Sequence, residues 1–163
     1  MPDGYGKLTP RDDPYGWALA QIEAIRGLPA DTAGFDRDGM LEFLEDSAHA
    51  MLAKVKSQLI NLMAHLTKAA CTRNSEVIGH WRNECRNFHQ EIVIEYRRSM
   101  RKEIDMERLW RYTIKRVTES FEDYGEPIPK LPAECPFTLA QLVDEELDIT
   151  GAMESLRARW SGG

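Results

Sequence analysis

Apolar residues recur along most of this chain at steps of three and four, separated by charged ones, which is the spacing of one face of a helix. A first helix is expected to start with Asp13 as N-cap and Pro14 at the first helical position, to turn Trp17, Ile22 and Ile25 inward, and to stop at Gly27 before Pro29. A second begins after Asp36 and carries Leu41, Leu44, Ala48, Met51, Leu52, Val55, Leu59, Leu62, Leu66 and Ala69 on one face. Its length leaves room for a kink between Ser47 and Ala50, and Asn74 and Ser75 close it and cap the next element. A third helix follows with Ile78, Trp81, Cys85, Phe88, Ile92, Tyr96 and Met100, and a fourth with Met106, Trp110, Thr113, Val117, Phe121 and Tyr124, ending at Gly125. The polar run from Ser99 to Asp105 reads equally as a turn or a continuation.

Beyond Gly125 the pattern changes. Pro127, Pro129, Pro132 and Pro136 each remove a backbone donor and push the preceding residue toward extended geometry, which predicts a strap rather than a strand. Thr138 and Gln141 have the spacing of a capping box opening a short helix with Leu139, Leu142 and Val143 on its apolar side. Met153, Leu156 and Trp160 then form a last amphipathic segment, free to dock or to fray. With no sustained strand alternation and no internal repeat, the fold class is all-α: an antiparallel bundle of about four main helices with a proline-rich C-terminal strap and a short terminal helix. The division is a flexible arm over residues 1–12, a single helical domain over 13–149 and a tail over 150–163.

The 163 residues suffice for a core without disulfides or metal, since a domain of this size buries roughly 68–70% of its unfolded surface. No apolar run approaches the roughly 20 residues of a membrane span, and the N-terminal stretch lacks the basic and apolar regions of a secretory signal. Cys71, Cys85 and Cys135 are odd in number and unpatterned, as expected of reduced buried thiols. These features together predict a cytoplasmic protein outside the membrane.

The candidate chemistry is narrow. Two Glu-x-x-His pairs for a di-iron bundle are missing, Cys85 with His89 is half of a zinc ligand set, and neither a P-loop nor a Gly-x-Ser-x-Gly elbow is present. No cofactor and no metal site is expected. The stretch "LMAHLTK" sets His65 and Lys68 three residues apart in the middle of the second helix. A 100° step places His65 at the border of the buried stripe and Lys68 nearly opposite it, so the plain reading is a packed edge. The functional reading adds Trp81 and Arg82 from the third helix, as an aromatic wall and a guanidinium that together with His65 and Lys68 form an anion pocket.

Charge is distributed in blocks. The net charge of −6 argues against a general nucleic-acid binder. Acidic residues crowd the start of the second helix and the C-terminal third, including Asp144, Glu145, Glu146 and Asp148, while the run from Arg97 to Arg116 is basic. Such complementarity either solvates and orients helices or drives association.

The strings "DPYGWALAQ", "FDRDGMLEFLED", "LMAHLTK", "HWRNECRNFHQEI" and "LPAECPFTLAQLVDEE", in this order, resemble an uncharacterised bacterial family catalogued as domain of unknown function 29. The last string is the most specific. Two positions depart from the family pattern: His89 stands where arginine is usual, and a Pro-Ser-Leu break is missing around Ser99. The resemblance implies a helical fold and a bacterial cytoplasmic origin, and supplies no activity or catalytic residue. The function expected is protein association, as a homo-oligomer or as an accessory subunit, rather than catalysis. A small-molecule or anion pocket or enzyme site near His65 is the alternative, and a toxin-partner or nucleic-acid role through Arg97 to Arg116 the third.

Overall fold

The computed structural model describes residues 8–160. Six α-helices follow one another: α1 (Pro14–Arg26), α2 (Arg37–Cys71), α3 (Ile78–Glu95), α4 (Met106–Asp123), α5 (Leu139–Leu142) and α6 (Ile149–Trp160). One 3-10 turn, Ser75–Val77, leads into α3 and another, Arg98–Glu103, precedes α4. The described residues contain no strand, so the class is all-α. Of the N-terminal arm, residues 1–7 lie outside the described residues, and Thr9 to Asp12 turn into α1 with Asp13 N donating to the Thr9 carbonyl.

The helix ends follow from local chemistry. Asp13, Asp36 and Asp105 each accept from the backbone N–H three residues on, at 2.7, 3.0 and 3.0 Å, satisfying donors that a helix start leaves open. Gly125, at φ 64°, closes α4 in a Schellman motif: its own N–H donates to Glu122 and that of Glu126 to Phe121. Helix α2 is unbroken from Arg37 to Cys71. Ser47, at the suspected break, donates its hydroxyl to the Phe43 carbonyl, one turn back, and stays within the helix. Tyr96 and Met100 fall outside α3. The chain turns extended at Tyr96, and bonds to α1 replace further helical ones: Arg97 Nε donates to the Asp12 carbonyl and Ser99 Oγ to Asp13.

The chain forms two compact units, one of residues up to Lys54 with Arg97–Ile104, the other of Val55–Tyr96 with Asp105 onward. In the first, Tyr15, Ala18 and Ile22 of α1 are buried, as are Leu44, Ala48 and Met100. Gly16 sits where a Cβ would lie 3.1 Å from that of Ser99, so only glycine leaves α1 this close to the 3-10 turn. Arg37 donates to the carbonyls of Ile25 and Arg26, satisfying the end of α1 with a cation suited to its dipole.

In the second unit the latter half of α2 is covered on nearly every side. Leu62, Met63, Ala64, Leu66 and Thr67 are all fully buried, which a one-faced stripe does not allow. The small side chain of Ala64 admits Val117 and Phe121 of α4 on a flank that the repeat at Leu59 and Leu66 leaves out. The strap then crosses α4. Trp110, fully buried, donates its indole N–H to the Pro132 carbonyl at 2.9 Å and meets Phe137 edge-on, and both Glu107 carboxylate oxygens accept from Cys135 N. Thr138 and Gln141 make both bonds of the capping box. Met153 and Leu156 are buried, so the terminal segment docks as α6.

Two changes probe this core. Trp110→Phe strands the Pro132 carbonyl and is expected to cost about 1–3 kcal/mol in denaturant unfolding, beyond the volume lost; Tyr112→Phe on the exposed side of α4 serves as the near-neutral control. Thr67 Oγ1 is buried with no hydrogen-bond partner. Thr67→Val is therefore expected to stabilise by roughly 0.5–2 kcal/mol, and a loss of stability in the same assay would show that the hydroxyl is satisfied.

Candidate functional site

Three of the four residues singled out by sequence meet in the second unit. His65 and Lys68 project from α2 on adjacent turns, and Trp81, near the start of α3, lies against them. His65 Nδ1 is 2.8 Å from the Asn61 carbonyl; a carbonyl only accepts, so the ring proton sits on Nδ1 and Nε2 presents a lone pair. That lone pair faces Lys68 Nζ at 3.5 Å. Lys68 Nζ also stands 5.2 Å from the centre of the Trp81 ring, and Phe88 tilts against the imidazole at 4.9 Å. The 100° step had set Lys68 opposite the core. It is nevertheless half-buried, because α3 covers that side of α2 and the long side chain bends back onto Trp81.

Arg82 is not part of this group. It follows Trp81 by one residue and so points about 100° away, with no bond to His65 or Lys68 and with its Nε buried and unpartnered. Sequence reasoning missed Arg116 of α4, whose guanidinium donates to Asn61 Oδ1 beside the imidazole's own anchor. No local pattern reveals it, since it lies 55 positions from Asn61.

The electrostatics favour uncharged forms. Burial, then the Lys68 charge, lower the His65 pKa, against a smaller opposing effect of the Asn61 bond. Burial, then Arg116, lower that of Lys68, with Cys85 and Glu84 opposing. Cys85 is pushed up to about 12 and Cys71 to about 11, both by burial, so these are inert thiols. Cys85 is wholly buried, whereas Cys71 and Cys135 are half-buried. His89, the other member of the half ligand set, is buried and donates Nε2 to the Asp144 carbonyl at 2.8 Å, holding α3 to the segment after α5. No cluster of three or more metal-ligating side chains occurs among the described residues.

A second feature of this unit is a groove of about 590 Å³ where the end of α2, the strap and α6 converge. Its floor holds Ala70, Cys71 and Phe121, its walls Pro127 to Lys130 and Trp160, and its rim Arg73, Lys130, Arg157 and Arg159. Glu126 is its one acid and is engaged, accepting from Thr72 Oγ1 and Arg73 N. Arg157 donates to the Thr72 carbonyl at 3.4 Å, and among the described residues no carboxylate pairs with any of the four cations. Elsewhere in the same unit, Asp144 and Asp148 accept from nearby backbone N–H groups, while the exposed carboxylates of Glu145 and Glu146 have no partner among the described residues. The basic run from Arg97 to Arg116 is divided between the two units, and within it Lys115 pairs with Glu119 at 3.8 Å.

The sequence pattern of the family described as domain of unknown function DUF29 matches residues 11–147. The chain belongs to this family. A solved structure, an alpha-helical protein of unknown function from Rhodospirillum rubrum, superposes with a TM-score of 0.83 at 18% identity, over 93% of this chain and 99% of that one. That likeness shows the fold. No curated protein matches the chain. Seen in the fold, most of the DUF29 strings are architectural: Asp13 and Asp36 cap helices, Cys135 N donates to Glu107 of α4 and the Pro132 carbonyl accepts from Trp110, and Thr138 and Gln141 form the capping box. No helix of the described residues is long and apolar enough to cross a membrane.

His65 yields a pH prediction. Its folded pKa lies below the free value of about 6.5, so near and below that pH the unfolded chain binds the extra proton. Its contribution to stability is present above the unfolded value and lost as pH falls through the folded one. Melting temperature is expected to drop further between about pH 7.5 and about pH 5.5 in the parent chain than in His65→Gln; equal drops would remove His65 as a source of the dependence.

Proposed function

We propose that this chain is a bacterial, cytoplasmic protein-association module that assembles with itself, the cationic groove of one copy receiving the acidic segment Asp144–Asp148 of another. The observation that carries this reading is the unspent charge on both sides. Arg73, Lys130, Arg157 and Arg159 ring a groove whose one acid, Glu126, is engaged with Thr72 and the Arg73 backbone, and Glu145 and Glu146 stand exposed with no cation paired to them among the described residues. Leu147, half-buried within the acidic run, offers an apolar contact for the groove floor. The strap suits it for docking, because proline-rich backbone is already ordered and loses little entropy on binding. Trp160 and Ile128, the latter 52% exposed, supply apolar area of the kind that anchors interfaces. Reciprocal exchange gives a two-fold dimer and doubles what one groove contributes toward the roughly 1,000 Å² that a stable interface buries. The reduced thiols and ordinary soluble composition support the compartment.

Sedimentation velocity across a concentration series tests it. A dimer that weakens between low and ~0.5 M salt is expected. Arg157→Glu with Arg159→Glu, and separately Glu145→Arg with Glu146→Arg, should each give monomers, and mixing the two variants should restore dimers through two opposite-charge contacts, one native and one with the charges exchanged. A parent chain that stays monomeric at every concentration, or a dimer indifferent to both charge reversals, overturns the reading.

A further inference from the structure

The groove leaves the polar pair on α2 unexplained. Lys68 is a half-buried amine with no carboxylate within ion-pair distance among the described residues, beside an imidazole whose lone pair is turned toward it by the Asn61 carbonyl. We propose that Lys68 is a covalent modification site whose amine takes the acyl group of a small acyl phosphate, with His65 Nε2 receiving the proton that the amine gives up. The geometry provides each part. The nucleophile and its base stand 3.5 Å apart, and the base is itself oriented by a third group, the arrangement by which weak nucleophiles are activated. Arg116 lies close enough to act on the Lys68 charge and brings a guanidinium suited to a phosphate leaving group. Trp81 and Phe88 wall the pair with apolar surface.

The step balances without oxidant or reductant. The Lys68 nitrogen pair forms a bond to the acyl carbon, the bond from that carbon to the phosphate oxygen breaks with its electrons, inorganic phosphate departs, and the amine proton passes through His65 Nε2 to water. The charged and titratable groups facing the pair are His80, Glu84 and Cys85 on α3 and Arg116 on α4. Burial and Arg116 hold the amine below its ordinary pKa, which enlarges its reactive fraction at neutral pH, and burial with Lys68 keeps the imidazole unprotonated there. The Trp81 face opposes the first effect, since a ring prefers the cation.

The test is the full chain incubated with acetyl phosphate near neutral pH, with acetylation followed by peptide mass spectrometry at Lys68, Lys115 and Lys130. Lys115 and Lys130 are exposed and serve as references within the same molecule. Lys68 is expected to react several-fold faster than either, because His65 Nε2 stands ready to take its proton. His65→Gln should slow Lys68 alone, and denaturing the parent chain should bring the three rates together. With acetic anhydride, which carries no phosphate, Lys68 should stay fastest, while Arg116→Gln should reduce its rate with acetyl phosphate more than its rate with the anhydride. A Lys68 no faster than the two exposed lysines, or one indifferent to His65→Gln, overturns the assignment.

Discussion

The latter half of α2 is enclosed by its own unit, and that enclosure governs the rest. A helix covered on nearly all sides cannot turn its polar side chains to water, so each needs a partner from a neighbour or from its own backbone. Thr72, just past its end, finds Glu126 on the strap, while His65 finds the Asn61 carbonyl and Lys68 finds His65 and the Trp81 face. Each partnership also fixes a neighbour: the first ties the strap to the end of α2, the last seats α3. Thr67 is the exception, a fully buried hydroxyl without a partner. Ala64 makes the enclosure possible by letting Val117 and Phe121 approach, and a larger residue there would hold α4 off the helix.

Much of this was legible from residues alone, for a physical reason. Caps, prolines and the three-to-four repeat are local signals, and the bonds that realise them span only a few residues, as at Asp13, Asp105, Gly125 and Thr138. Tertiary choices were not legible. Periodicity assigned one buried face to α2, and in its second half three neighbours claim the others. It carried α3 on through Tyr96 and Met100, where the chain instead turns extended so that Arg97 and Ser99 can bond the start of α1. At the candidate site, His65, Lys68 and Trp81 were found because α2 and α3 form a hairpin with a short connection, so residues near it must meet. Arg116 and the groove cations were not, because their neighbourhood is assembled from segments far apart in the chain.

Family membership bears on function in an indirect way. The strings by which this chain resembles the family coincide with caps, with the strap's bonds to α4 and with the seat of α5, so in this chain they serve the fold. A likeness at 18% identity shows a shared fold, and a fold does not fix a function. Specific chemistry then belongs to residues with no architectural task.

Two groups meet that description, and they differ in kind. The cations around the groove are exposed, so their lack of partners costs the isolated chain little: water solvates them, and pairing would contribute at most about 1 kcal/mol each. Their arrangement is therefore unconstrained by stability and free to serve recognition. Lys68 is under the opposite pressure. Burial penalises its charge, and neither of its near partners is a carboxylate that would compensate. A surface lysine would avoid that penalty by pointing outward, as Lys115 does. An amine kept half-buried against an imidazole is held where its charge is penalised, so its neutral, reactive form is more accessible than that of a surface lysine.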